Sequence, residues 1–280
     1  MIIQKILYVD YSIMYTLVLD GGGSYGIAYI GVIKALEQAQ KLKEFTTFFG
    51  CSVGSIFSLL IVLGYSPAEI QDIIFKLNFD KMYSLSAINI LKRGHYGDIK
   101  YIMKIINTAL SMKFSENITF AELYHQTNKT LIISTVCICD NNPVYFSHKT
   151  HPDVQVSYAV RMSISLPYIF PFVEYREKYY ADGGICQLPL HLYNGTDHLI
   201  FTFEKQISEM TFEHKKKDKY YIVKQLIQTI GRYNDTSQHN IIKIPIKDLD
   251  VLSNPSTEQK LNMIRDGFVK TIDFLKQHHS

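Results

Sequence analysis

Three short glycine-bearing stretches hold the residues best suited to chemistry: Asp20-Gly21-Gly22-Gly23-Ser24-Tyr25-Gly26, Gly50-Cys51-Ser52-Val53-Gly54 and Asp182-Gly183-Gly184. The second has G-x-S-x-G spacing, in which small residues let the chain turn sharply enough to lift a serine hydroxyl out of a sheet. Ser52 is therefore a candidate nucleophile for acyl transfer. A helix starting directly after it would aim N–H groups and a positive dipole end at charge developing near Ser52. A plain strand-to-helix turn satisfies the same fixed positions, so this pattern decides nothing alone.

Consecutive glycines expose backbone N–H groups and admit a ligand oxygen at close range. For Gly21, Gly22 and Gly23 two uses fit: a phosphate cradle or an oxyanion hole. A dinucleotide site needs an acidic residue at the end of the second strand to hold a ribose hydroxyl. The predicted second strand ends instead in Gly50-Cys51-Ser52, which favours the oxyanion hole. A serine hydroxyl also needs a group to take its proton. A Ser, Asp, His order would make His191 or His198 the base after Asp182. That architecture reaches its elbow only after several strands, whereas the ~50 residues before Ser52 have room for about two strands and a helix. Asp182 itself, just after the strand-like Lys178 to Ala181, is the alternative. An aspartate with a solution pKa of ~3.9 would need a partly desolvated site and a short bond to the hydroxyl. A turn aspartate capping its own backbone would equally account for the residue.

The elements that must position these groups follow from hydrophobic period and punctuation. Tyr15 to Leu19 reads as a strand, stopped by the glycines before a helix from about Tyr25 to Lys41. Phe45 to Phe49 is a second strand, and Val53 to Leu63 a buried helix. Ser66-Pro67-Ala68-Glu69 and Thr119-Phe120-Ala121-Glu122 are capping boxes, and Asp98 opens an amphipathic stretch to about Met112. Strands are predicted at Leu131 to Ile138, Val144 to Ser147, Lys178 to Ala181 and His198 to Phe203. The alternation predicts an α/β sheet with helices on both faces. Beyond Lys205 come polar connections, a helix near Tyr220 to Ile230, a strand at Ile241 to Ile246 and a final helix from about Ser256 to Lys276.

Taken together and in this order, the three glycine motifs resemble the patatin-like phospholipases. Arg161-Met162-Ser163-Ile164-Ser165-Leu166-Pro167, followed by Phe170-Pro171, is similar to that family's serine- and proline-containing block. The resemblance runs from about Thr16 to Leu190. It implies a three-layer α/β/α fold with a central, mostly parallel sheet, in a catalytic domain over residues 16–204. Residues 205–280 would form a mostly helical extension packed on the same domain. It further implies a Ser-Asp dyad without histidine, an acyl-enzyme intermediate, fatty-acid release from phospholipid or neutral lipid esters, no cofactor and no metal. Ser52 would attack, Asp182 would accept its proton, and the Gly21, Gly22 and Gly23 amides would hold the oxyanion, with Gly26, Gly50, Gly54, Gly183 and Gly184 completing the motifs. Two positions depart from the family pattern. Tyr25 stands where many members have Arg or Lys, and Cys186-Gln187-Leu188-Pro189 lacks the Asn that often follows the Asp-Gly-Gly turn.

Composition sets outer bounds. The chain of 280 residues is 47% hydrophobic and 20% charged, the make-up of a globular protein. A net charge of +3 falls short of a nucleic-acid-binding face. Lys5 and Asp10 interrupt the apolar N-terminus, so no secretory signal is expected. Leu59 to Leu63 is far shorter than the ~20 residues of a membrane span. A cytoplasmic protein with peripheral membrane contact is expected. The four cysteines lack zinc spacing, and Cys137 and Cys139 are expected to share a buried strand face. Sequons at Asn117, Asn128, Asn194 and Asn234 carry no weight without a signal. The basic run His214 to Lys219 fits a solvated loop or a contact with anionic head groups. Phe57, Leu59, Tyr168, Ile169 and Phe170 fit an acyl channel or ordinary core packing. A lipid- or partner-binding module without turnover is the other functional class compatible with these motifs.

Overall fold

In a computed structural model, the described residues are 16–78, 80, 97–186, 198–205, 240–246 and 251–277. The basic run, the helix expected near Tyr220, and His191 lie outside them.

The first strand, β1 (Thr16–Leu19), leads through a 3-10 turn at Gly23–Ile27 into α1 (Ala28–Gln38). The chain then forms β2 (Thr47–Cys51), α2 (Val53–Val62) and α3 (Pro67–Phe75). After α4 (Lys100–Lys113) and α5 (Phe120–Thr127) come β3 (Thr130–Cys137) and β4 (Asn142–Phe146). A helix unannounced by the sequence pattern, α6 (Val156–Ser163), precedes β5 (Val173–Tyr175) and β6 (Lys178–Asp182). The remaining elements among the described residues are β7 (His198–Lys205), β8 (Ile241–Ile246) and α7 (Thr257–Gln277). Both expected capping boxes are present: Ser66 and Thr119 accept the N–H of Glu69 and Glu122, whose carboxylates bond back.

Among the described residues, eight strands form one sheet in the order β5-β6-β3-β2-β1-β7-β8, with β4 also on β3. From β3 through β8 the pairing is parallel, whereas β4, β6 and β5 add antiparallel ladders. Alternation along each strand divides the apolar side chains between faces. Leu17, Phe48, Leu131 and Leu199 are in register and join the main core with α1, α2, α3 and α6. Val18, Phe49 and Ile200 form a second buried cluster on the opposite face, with Ile132 and Ile241 packed against it. A sheet buried on both faces explains the nearly unbroken apolar runs of β1 and β2.

The strand β7 runs through the boundary expected at residues 204 and 205, and β8 extends the same sheet beside it. The final helix packs along α1 at unusually close range. A Cβ added to Gly31 would lie 1.8 Å from the Ile264 carbonyl oxygen, and one added to Gly267 would lie 2.2 Å from that of Ala28. Cys137 is buried but Cys139 is exposed, correcting the expectation of a shared buried face. The cause is that β3 ends at Cys137, so the two-residue period stops before Cys139.

Candidate active site

The way β2 and β6 share β3 brings Ser52 to Asp182. Ser134 pairs with both Cys51 of β2 and Tyr145 of β4, which places β2 and β4 on opposite edges of β3. Thr135 pairs with both Val144 of β4 and Asp182 of β6, so β6 occupies the same edge as β2, one residue further on. Because β2 runs parallel and β6 antiparallel to β3, the two strands meet end to end. Their last residues lead into Ser52 and end in Asp182.

At that junction Ser52 Oγ donates a hydrogen bond of 2.6 Å to Asp182 Oδ2, across 130 residues of chain. Ser52 has φ 51° and ψ −125°, a strained backbone for a residue with a side chain. Neighbouring backbone enforces it: a Cβ at Gly50 would lie 2.4 Å from Ser55 Cα, and one at Gly54 would lie 2.0 Å from the Leu19 carbonyl oxygen. Ser52 is half-buried and so remains reachable.

Asp182 is 2% exposed. Its Oδ1 accepts the Gly184 N–H at 2.7 Å, leaving Oδ2 to Ser52. Burial raises its pKa from the ordinary carboxylate range to about 7, and the negative charge of Asp20 acts in the same direction. The hydrogen bonds from Ser52 and Gly184 oppose this shift. Gly183 lies against β3, where a Cβ would come 2.5 Å from the Ser134 carbonyl oxygen. The Gly184 N–H of its own turn thus helps to orient the Asp182 carboxylate; Gln187, Leu188 and Pro189 lie outside the described residues.

The glycine loop after β1 lies beside the elbow. The Cβ position of Gly21 is 3.3 Å from Ser52 Cβ. The Gly21 N–H, however, donates to its neighbour's carboxylate, Asp20 Oδ1, at 2.7 Å. Gly22 faces the Phe203 ring, and Gly23 has φ 51° with its open side against the Val251 carbonyl, which accepts the Ser24 N–H at 2.9 Å. Gly26 packs on Val53 at the start of α2. Tyr25 is buried edge-on against Phe203, placing its ring in the aromatic core around the loop.

Two further residues hold the site, and sequence reasoning assigned them no role. Ser163 Oγ, fully buried at the end of α6, accepts the Ser52 N–H at 2.9 Å, and the Ser165 carbonyl accepts the Asp182 N–H at 3.0 Å. The serine-containing block thus grips both partners of the 2.6 Å bond. Other residues fall elsewhere. His198 is buried and pairs with Thr16, the first residue of β1. Thr16 is in register with Thr47, which puts His198 about 16 Å from Ser52 along the sheet, at ~3.3 Å per residue. That position removes His198 as a third triad member. Phe57, Leu59, Ile169 and Phe170 are core residues, whereas Tyr168 is 61% exposed. Among the described residues no group of three or more His, Cys, Asp or Glu side chains is placed to hold a metal ion.

The patatin-like phospholipase model matches residues 17–194, a span containing all three glycine motifs. The chain belongs to that family. The patatin-like chain is 29% identical over 276 residues to the "Probable lipid hydrolase 463L" of Invertebrate iridescent virus 6, an alignment covering 94% of this chain and 89% of the viral one. It is 30% identical to triacylglycerol lipase 5 of Saccharomyces cerevisiae over 194 residues, 64% of this chain and 25% of the yeast protein. Among solved structures, VipD from Legionella pneumophila superposes with a TM-score of 0.67 at 17% identity, covering 95% of this chain and 67% of VipD. ExoU of Pseudomonas aeruginosa, in its complex with SpcU, gives 0.56 at 19% identity, covering 95% and 52%. The fold is therefore the three-layer α/β/α arrangement with a mostly parallel sheet, in a family of lipid ester hydrolases.

Proposed function

We propose that this chain hydrolyses fatty-acyl esters of phospholipids by a Ser52–Asp182 dyad. The observation that carries the reading is the 2.6 Å bond from Ser52 Oγ to a buried carboxylate whose pKa is raised to about 7. An acceptor near neutrality is far better matched to a hydroxyl proton than an ordinary aspartate. Asp182 Oδ2 takes the proton as Ser52 Oγ bonds to the ester carbonyl carbon. The carbonyl oxygen gains the charge, which the Gly22 and Gly23 amides and the N-terminus of α2 stabilise. Of the three glycine amides, that of Gly21 is already committed to Asp20. The tetrahedral intermediate expels the alcohol, which receives the proton from Asp182. Water, deprotonated by the same carboxylate, then attacks the acyl-Ser52 ester; the bond to Ser52 Oγ breaks, Asp182 returns the proton to Oγ, and the fatty acid leaves.

Lipid as the substrate follows from the family and from its named relatives. Two exposed rings agree with it. Tyr168 and Phe172 are 61% and 48% exposed. Phe172 immediately precedes Val173, the residue paired with Tyr180 on the strand that ends in Asp182. These rings support peripheral contact with a cytoplasmic membrane surface. Among the described residues no helix is long and apolar enough to cross a membrane.

The test is fatty-acid release from phosphatidylcholine vesicles and, separately, from a triacylglycerol emulsion. Ser52→Ala and Asp182→Asn are each expected to lower release by at least ~10³-fold while circular dichroism stays that of the parent. Substantial activity in either variant would reject the dyad. Turnover of the emulsion alone would move the substrate to neutral lipid. Failure of a fluorophosphonate to label Ser52 in the folded protein would favour a binding module.

A further inference from the structure

Asp20 ties the end of β1 to its neighbours through every polar group it has. Its N–H donates to the Phe201 carbonyl at 3.1 Å, and its own carbonyl accepts the Tyr29 hydroxyl at 2.8 Å. Its carboxylate accepts the Gly21 N–H on Oδ1 and the Thr202 hydroxyl on Oδ2, both at 2.7 Å. The carboxylate is thereby fixed in one orientation between β1 and β7, one residue before the glycine whose Cβ position lies 3.3 Å from Ser52 Cβ. On the far side of Ser52 stands Asp182. Two carboxylates serving one site resist simultaneous ionisation, so a fixed charge on one strengthens the proton affinity of the other.

We propose that Asp20 is a positioning residue for the dyad, folding the glycine loop against Ser52 and keeping Asp182 ready to accept a proton. The proposal rests on the Ser52–Asp182 reading. As Ser52 attacks, negative charge leaves Asp182 and appears on the substrate oxygen, so the amount of charge facing Asp20 does not grow during the step. Other titratable groups face the same pair: Cys51 from β2, Tyr29 from α1 and, near Cys51, Cys186. Burial pushes all three upward, and they stay neutral where Asp182 titrates. The direction of the effect on Asp182, in which the Asp20 charge adds to burial, agrees with the geometry.

The test is the pH dependence of kcat/KM on a soluble short-chain p-nitrophenyl ester. For the parent protein the acid limb is expected near pH 7. Asp20→Asn and Asp20→Ser each remove the charge while keeping an acceptor for the Gly21 N–H, and are expected to move that limb down by ~0.5–1 pH unit. Thr202→Val keeps the charge and frees one carboxylate oxygen, so kcat should fall several-fold with the limb unmoved. An unmoved limb in both active Asp20 variants overturns the proposal. Loss of fold in both, by circular dichroism, also overturns it, because the residue is then structural. An acid limb that survives in Asp182→Asn refutes the dyad itself and is recognised separately.

Discussion

Ser52 is held at a backbone conformation that costs ~1–3 kcal/mol for a residue with a side chain, so its surroundings must over-determine it. Ser163 is one of the determinants, since its buried hydroxyl accepts the Ser52 N–H at 2.9 Å. Ser163→Ala would leave that donor unsatisfied, a penalty of ~1–3 kcal/mol. The elbow should relax and kcat fall by ~10–100-fold with a smaller change in KM, whereas Ser163→Thr, keeping the hydroxyl, should recover most of the rate. Steady-state kinetics on the three proteins decides it; a Ser163→Ala enzyme with parental kcat would assign the elbow to glycine packing alone. Ser52 and Asp182 were legible in the sequence because proton transfer restricts residue type, and flanking glycines mark tight turns. Ser163 stood out only as part of a block similar to the family's; its role could not be read, because its partner lies 111 residues away.

At the scale of elements, catalytic geometry is set by two strands of opposite direction sharing one edge of β3. The elbow side of this junction admits little added volume, because Gly54 lies directly under the end of β1. Gly54→Ala would put a methyl group 2.0 Å from the Leu19 carbonyl oxygen, backbone that cannot swing aside. Overpacking of this kind typically costs ~1–3 kcal/mol, and here it should also slow fluorophosphonate labelling of Ser52 by ~10-fold or more. Denaturant melts and labelling rates measure the two effects; unchanged labelling would separate the elbow from β1. The parallel strands and the two capping boxes could be read from period and punctuation. The short β5 and helix α6 could not. Val173–Tyr175 is a three-residue strand that exists only because β6 pairs with it, and Val156–Ser163 has no side-chain cap. The end-to-end meeting of β2 and β6 is likewise a property of register, which no single strand carries.

For the whole molecule, the buried base sets site function against stability. The folded-state pKa of Asp182 is raised from 3.8 to about 7, so the folded protein binds this proton more tightly than the unfolded chain does. The stabilising contribution is therefore complete below about pH 4 and is lost as pH rises through about 7. A difference of about 3 pKa units corresponds to ~4 kcal/mol at most, drawn from a total of ~5–15 kcal/mol for an ordinary domain. Asp182→Asn keeps the shape and can still accept the Gly184 N–H, but cannot ionise. It should therefore unfold at a higher temperature than the parent at pH 8, and the advantage should shrink at pH 5, where parental Asp182 is already protonated. Thermal melts of both proteins across that range test this directly. A variant less stable than the parent at pH 8 would mean that the ionised carboxylate is better solvated than its 2% exposure implies. A surplus at alkaline pH, joined to loss of turnover, would show that the fold tolerates a charge at the end of β6 because esterolysis requires one there.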